Sequence, residues 1–302
     1  MGFSVLLYNG TESSDDGFYI TAFHTLGNKN YLILALSIIY IITLMGNFVL
    51  LAVFIMNPSL QNPKYIAVCN LAVVDISLNS VIIPQMVPVF VFNLNYVSFG
   101  TCFSQMFFMH LFGDMESFSL ALLAYDRVIA ICFPLRYLTI NTNLRMLLIL
   151  LGIWTLAFFL EVFPVALASR LSYCASRVVR SCCCEHGPVY RLACSDISFN
   201  RKLATAKTLA VLLGPLFFII FTYAVVVVAV MKIASTTQRG KAFHTCLTHL
   251  LLVLSSDLLT AILTVSVTLP PMLNPIIYSL KTEELREKIV KLFIKTKVTP
   301  HQ

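Results

Sequence analysis

The chain has 302 residues, of which 58% are hydrophobic and only 12% charged, with a mean hydropathy of +0.85. A water-soluble domain carries about 25% charged residues, so that class is excluded. The formal net charge of +7 does not indicate nucleic-acid binding. Lys281, Arg286, Lys288, Lys291, Lys295 and Lys297 crowd the C-terminal tail, where an anionic membrane leaflet is the fitting partner.

Residues 1–30 read as an exposed N-terminal tail. They lack a basic start, include Glu12, Asp15 and Asp16, and carry the chain's only glycosylation sequon, Asn9-Gly10-Thr11. Apolar runs long enough to cross a bilayer, which takes about 20 residues, begin at Tyr31. The expected helices are 31–56, ended by Asn57-Pro58; 64–92, with kinks expected at Pro84 and Pro88; 101–132; and 146–168, with the only tryptophan, Trp154. A polar, cysteine-rich loop from Ser169 to Arg201 precedes a fifth helix at 203–232, uncharged from Thr208 to Met231. A short sixth helix at 241–256 and a seventh at 258–280 complete a bundle spanning 31–280. The tail, 281–302, alternates apolar and charged residues in the manner of an amphipathic helix lying on the membrane.

The positive-inside rule places Lys64, Arg127, Arg136, Arg145, Lys232, Arg239, Lys241 and the tail on one side. The loop from 169 to 202 opposes this with Arg170, Arg177, Arg180, Arg191, Arg201 and Lys202. That loop also carries Cys174, Cys182, Cys183, Cys184 and Cys194, however, and clustered cysteines imply an oxidising compartment. With the sequon, they place the N-terminus and this loop outside. Cys69, Cys132 and Cys246 lie in or beside apolar runs and read as small buried residues. No paired Cys/His motif of zinc type is present.

Residues 122–137 read Leu-Leu-Ala-Tyr-Asp-Arg-Val-Ile-Ala-Ile-Cys-Phe-Pro-Leu-Arg-Tyr and place the acid–base pair Asp126-Arg127 at the end of a long apolar segment. This stretch closely resembles the third-helix signature of odorant receptors, a branch of the rhodopsin-like (class A) G-protein-coupled receptors. Lys241-Ala242-Phe243-His244-Thr245-Cys246 resembles the inner end of that family's helix six, and Pro271-Met272-Leu273-Asn274-Pro275-Ile276-Ile277-Tyr278 its seventh-helix motif. The resemblance implies an all-α seven-helix membrane receptor at the plasma membrane, multi-pass, with its C-terminus cytoplasmic. A small odorant would enter from outside and a stimulatory heterotrimeric G protein would bind inside. No catalytic constellation stands out among the scattered histidines, so no enzyme is expected.

The family pattern is interrupted in one place. From Ala242 to Leu280 there is one charge, Asp257, in 39 residues. Two crossings alone need about 40 residues. Ala242–Ser256 would reach only about 22 Å at 1.5 Å per residue. A deletion of something like twenty residues near Ser255-Ser256-Asp257 is therefore expected, shortening helix six. A receptor that does not signal, or misfolds, is the rival reading. A transporter or channel would want internal repeats or a polar lining, and neither is visible.

The resemblance also implies site residues. Cys102 would bond to Cys184, which precedes the acid Glu185, and Cys174 would bond to Cys194. Cys182 and Cys183 compete for the same partner, and spacing does not choose between them. Tyr125, Asp126 and Arg127, with Asn274, Pro275 and Tyr278, would form the coupling and switch motifs. Asp75, Glu116 and Asn274 would line a polar pocket able to hold a structural sodium ion, the alternative being a protonated, hydrogen-bonded carboxyl without an ion. No other cofactor is expected. Inward from Cys102, Met109, His110, Gly113, Asp114 and Ser117 form the candidate ligand face. Packing is the alternative for Met109, and an i, i+4 pairing is the alternative for His110 and Asp114.

Overall fold

The computed structural model describes residues 17–21, 29–92, 94–174, 176–231, 287–289 and 291. Helices six and seven, the shortened segment near Asp257, Asn9, Asn274, Pro275, Tyr278 and most of the tail lie outside them.

Within the described residues the chain runs β1 (Gly17–Ile20), α1 (Lys29–Met56), α2 (Pro63–Val91), β2 (Tyr96–Ser98), α3 (Phe99–Cys132), α4 (Tyr137–Ile140), α5 (Asn143–Ser169), β3 (Val178–Val179), α6 (His186–Tyr190) and α7 (Ser198–Met231). The long helices begin where a side chain can satisfy free backbone N–H groups. Asn62 accepts from the Tyr65 N–H, Ser98 from Thr101 and Thr142 from Arg145. The Thr142 cap sets the start of α5 three residues before the 146 that apolarity suggested. At α7 the Asp196 carboxylate accepts from the Ser198 N–H at 2.8 Å. The helix therefore starts at Ser198 and takes in Arg201, Lys202 and Lys207, which the expected fifth helix at 203 only partly included.

Four of these helices are long and apolar enough to cross a membrane: Ile33–Met56, Pro63–Val89, Asn143–Ser169 and Ser198–Ala229. The fifth long helix, α3, turns by 110° at its end into the Pro134–Ile140 segment. At 34 residues it reaches about 50 Å, and it packs against α2, α5 and α7. Leu34, Ile38, Ile41 and Met45 on α1 stay exposed, as do Leu147, Leu151, Phe159 and Phe163 on α5 and Phe217 and Phe221 on α7. Bare apolar surface on this scale suits lipid rather than water.

The interior is layered along α3. Toward its C-terminal half, Leu120, Leu122, Leu123 and Ala124 pack with Ala67, Val68, Leu71, Met146, Leu150 and Ile219. Polar links tie the helices at mid-depth: Trp154 Nε1 donates to Asn70 Oδ1 at 2.9 Å, and Asn70 Nδ2 donates to Ser119 at 2.8 Å. At one end Ile289 packs against Val53, Leu60 and Tyr65, and Lys288 contacts Ser59, so this part of the tail lies beside the α1–α2 turn.

The opposite end carries a cap. β1 pairs antiparallel with β2 and parallel with β3, in the register Gly17↔Ser98 and Tyr19↔Val178. Gly17 is required there, because a Cβ would come within 2.5 Å of the Val97 carbonyl oxygen and 2.7 Å of the Tyr96 ring. Phe18 is fully buried, in edge-on contact with Phe99, Phe103 and Tyr173.

Candidate ligand-binding site

Two disulfides frame the site. Cys102 on α3 is bonded to Cys184, with Cα atoms 5.4 Å apart, and Cys174 to Cys194, with Cα atoms 5.8 Å apart. The first holds the Cys182–Glu185 stretch onto the N-terminal end of α3. Gln105 Oε1 reinforces it by accepting from the Cys184 N–H at 3.0 Å. The second closes the loop that leads back to α7, where Cys194 N–H also donates to the Ser172 carbonyl at 2.9 Å. Between them α6, only five residues long, lies against α5 and α7.

Under α6 four elements bring ionisable groups together. Lys207 Nζ on α7 lies 2.9 Å from Asp114 Oδ1 on α3 and also meets Glu161 Oε1 on α5. His186 Nε2 on α6 lies 3.8 Å from Glu161 Oε2. The His186 ring stacks on His110 of α3 at 4.7 Å and leans on Tyr190 at 5.4 Å. All of these except His110 are buried below a tenth of their surface. Ionised groups are tolerated at such depth only when paired. Here one ammonium is shared by two carboxylates, leaving one negative charge that a proton on His186 or on a carboxyl would balance.

Beside this cluster is a cavity of about 330 Å³ lined by His110, Glu185, His186, Tyr190, Arg201, Thr205 and Thr208, among others. That volume falls at the lower end of small-molecule sites. His110 Nε2, His186 Nδ1 and Tyr190 Oη are buried without a hydrogen-bond partner among the described residues. Burial pushes the Tyr190 phenol up to about 12, so it stays a neutral donor at ordinary pH. Unsatisfied buried polar atoms are costly, and a ligand with donor and acceptor groups would relieve them.

Of the five residues of the expected ligand face, His110 alone lines this cavity. Asp114 sits next to it, held by Lys207. The two are not each other's partners, since Asp114 turns to Lys207 and His110 to His186. Met109 packs toward α2 with Leu78, Ile82 and Met86. Gly113 has nothing within 4 Å of where a Cβ would sit, and Ser117 is half-buried. Glu161 and Lys207 escaped sequence reading, although Glu161 is the lone charge within 146–168, Lys207 borders the uncharged run from Thr208, and their signs are opposite. That signal would have paired them.

Elsewhere on α3, Asp126 is buried at the C-terminal end and accepts from Tyr137 Oη at 2.6 Å and Asn141 Nδ2 at 2.8 Å. Its neighbour Arg127 forms no ion pair with it among the described residues, and Tyr125 packs at the edge of the core around Leu122 and Leu123. The α4 turn thus clamps the acid that sequence alone had coupled to its adjacent arginine. Asp75 on α2 is fully buried and Glu116 on α3 half-buried. Glu116 Oε1 and Asn79 Oδ1 are buried without a hydrogen-bond partner among the described residues. Oxygen-only donors of this kind fit a hard cation such as sodium.

A bundle of membrane-length helices around a central α3, capped by a disulfide-pinned loop over a small cavity, is the architecture of a seven-helix receptor. Residues 36–268 match the family model described as olfactory receptor. The human protein Olfactory receptor 1L4 is 35% identical over 272 residues, covering 84% of this chain and 88% of the relative. Human Olfactory receptor 10A6 is 35% identical over 298 residues, covering 91% and 95%, and human Olfactory receptor 51I1 is 35% identical over 283 residues, covering 87% and 90%. The chain belongs to the olfactory receptor family of class A G-protein-coupled receptors, and it is a multi-pass membrane protein and not an enzyme. Each alignment is longer than the share of this chain it takes in, so these relatives carry positions that this chain lacks.

Proposed function

We propose that this receptor binds a small, hydrogen-bonding odorant in the cavity beneath α6 and passes the signal to a stimulatory heterotrimeric G protein at the inner end of α3. The observation that carries the reading is the set of buried, partnerless polar atoms on His110, His186 and Tyr190 around a cavity of about 330 Å³. The ligand acts by binding one helix arrangement more tightly than another, since equal affinity for both would shift nothing. Lys207 ties α3, α5 and α7 together directly below the cavity, so a ligand that moves α6 or α7 changes the load on that tie. At the far end of α3, Asp126 and Arg127 form the coupling motif, with Asn274, Pro275 and Tyr278 as its partner switch on helix seven. A sodium ion held by Asp75, Glu116 and Asn274 would favour one arrangement by supplying charge that neutral packing lacks. The N-terminus, with Asn9 glycosylated, and the cysteine-rich loop face outward; the C-terminal tail faces the cytosol and lies on lipid.

The test is a cyclic-AMP assay in cells expressing the receptor, with surface density measured by an N-terminal tag. A panel of odorants is expected to yield agonists whose response His110→Ala and Tyr190→Phe reduce at matched surface density. A second reading is that the chain reaches the membrane but does not signal. The shortage of residues between Ala242 and Leu280, together with the relatives' additional positions, favours it. Surface expression with no response across the panel would select that reading, and transcript sequencing across Leu250–Pro270 would tell whether the shortening is in the message.

A further inference from the structure

Two cysteines take part in neither disulfide of the outer loop. Cys182 Sγ and Cys183 Sγ stand 3.5 Å apart, and Cys183 Sγ is 3.5 Å from Glu185 Oε1. The three donor atoms lie within 4.8 Å of one another. A disulfide would close the sulfurs to about 2.0 Å. By contrast, two thiolates bound to one zinc ion at about 2.3 Å each, with a tetrahedral angle between them, stand roughly 3.8 Å apart. The separation is too wide for a disulfide and close to the bite of such a chelate.

The frame behind these donors is rigid. Cys184, between Cys183 and Glu185, is bonded to Cys102, and its N–H is held by Gln105. Cys183 is almost fully buried among apolar residues that include Met86 and Met109. Glu185 lies at the other edge, where it lines the cavity and opens to solvent.

We infer that Cys182, Cys183 and Glu185 form a binding site for a soft-to-borderline divalent metal ion of the zinc class, with its fourth position open to the outer solvent. Two sulfurs and one carboxylate select against magnesium and calcium, which take oxygen donors. Three anionic donors around a doubly charged ion leave a net charge near that of one carboxylate. Thiols bind a metal as thiolates, so metal entry displaces their protons, and binding strengthens as pH rises and releases protons as it occurs. The site stands whether or not the adjacent cavity takes an odorant.

The test uses the full-length receptor purified in detergent without chelator. Zinc uptake is measured by competition with a fluorescent zinc chelator, and maleimide labelling of Cys182 and Cys183 is read by peptide mass. Expected are one saturable equivalent of zinc per chain, loss of that equivalent in the Cys182→Ser/Cys183→Ser double variant, and weaker binding in Glu185→Gln. Zinc should also slow maleimide labelling of both cysteines in the unaltered receptor, which decides the matter even if the double variant fails to fold. Equal uptake with and without the two thiols would overturn the assignment. So would labelling indifferent to zinc, or a Cys182–Cys183 disulfide in protein isolated without reductant.

Discussion

Lys207 on α7 and Asp114 on α3, 93 positions apart in sequence, meet at 2.9 Å in the membrane-spanning part of the bundle, with Glu161 of α5 on the same ammonium. Three helices are thereby joined through one side chain. A lysine so placed lies beside the cavity under α6 and ties together the helices that carry its walls.

Replacing that lysine leaves two buried carboxyls without a cation. Lys207→Met is expected to cost about 3–5 kcal/mol of stability, the range for breaking a buried pair by removing one partner. Neutralising the acids as well, in Lys207→Met/Asp114→Asn/Glu161→Gln, should recover most of the loss, because an uncharged cluster needs no partner. Thermal unfolding of the detergent-solubilised receptor measures both. A single variant as stable as the parent would mean that the cluster carries no ionic load.

At the C-terminal end of α3, Tyr137 Oη donates to Asp126 at 2.6 Å and Asn141 supplies the second donor. A hydrogen bond to a charged group contributes about 1.5–3 kcal/mol. Tyr137→Phe should lower stability by an amount in that range, and Asn141→Ala should add to it rather than substitute for it. Unfolding midpoints of the two single variants and the double variant decide between additivity and redundancy.

The two disulfides close very different loops, with sequence separations of 82 and 20. Each is expected to stabilise by about 2–4 kcal/mol. Cys102→Ser should be the more damaging, because it also loosens Cys184 from Gln105 and with it the whole of α6. Surface staining of intact cells should fall further for Cys102→Ser than for Cys174→Ser. The reverse order would show that the smaller loop, not the tie to α3, positions the cap.

Glu185 gives the cysteine-rich loop a pH dependence. Burial raises its carboxyl above the ordinary 4.5. The folded loop therefore binds this proton more tightly than the unfolded one, and the corresponding stability is present in full below pH 4.5 and lost as pH rises through the raised value. Glu185→Gln, neutral at every pH, should flatten that part of the profile and be the more stable form at neutral pH when no metal is bound. Unfolding midpoints measured across that window with a chelator present test the sign.

Much of the fold was legible because apolar length is a blunt signal. Tyr31, Asn57-Pro58, Pro63 and Pro134 punctuate the chain close to where helices begin and end. The departures have local causes: a Thr142 cap for α5 and the Asp196–Ser198 contact for α7. The cysteine ladder was legible too, through its resemblance to a family, though spacing alone left Cys182 and Cys183 in contention. What escaped was anything set by helix rotation. Met109 and His110 are adjacent, yet one faces α2 and the other the cavity. Lys207 and Glu161 find each other only once α5 and α7 are packed on α3. Periodicity places residues on a face but does not say which neighbour that face meets.

If ligand acts in the cavity between α3, α6 and α7, occupying that space with a side chain must weaken the response. Thr208→Trp would fill that cavity from α7 while leaving Lys207, Asp114 and Glu161 in place. The decisive measurement is the cyclic-AMP dose–response of this variant, at matched surface density, to an agonist of the parent receptor. A rightward shift of about tenfold or more is expected, the equivalent of about 1.4 kcal/mol of lost binding. An unchanged curve from a receptor whose cavity has been filled would place the ligand elsewhere.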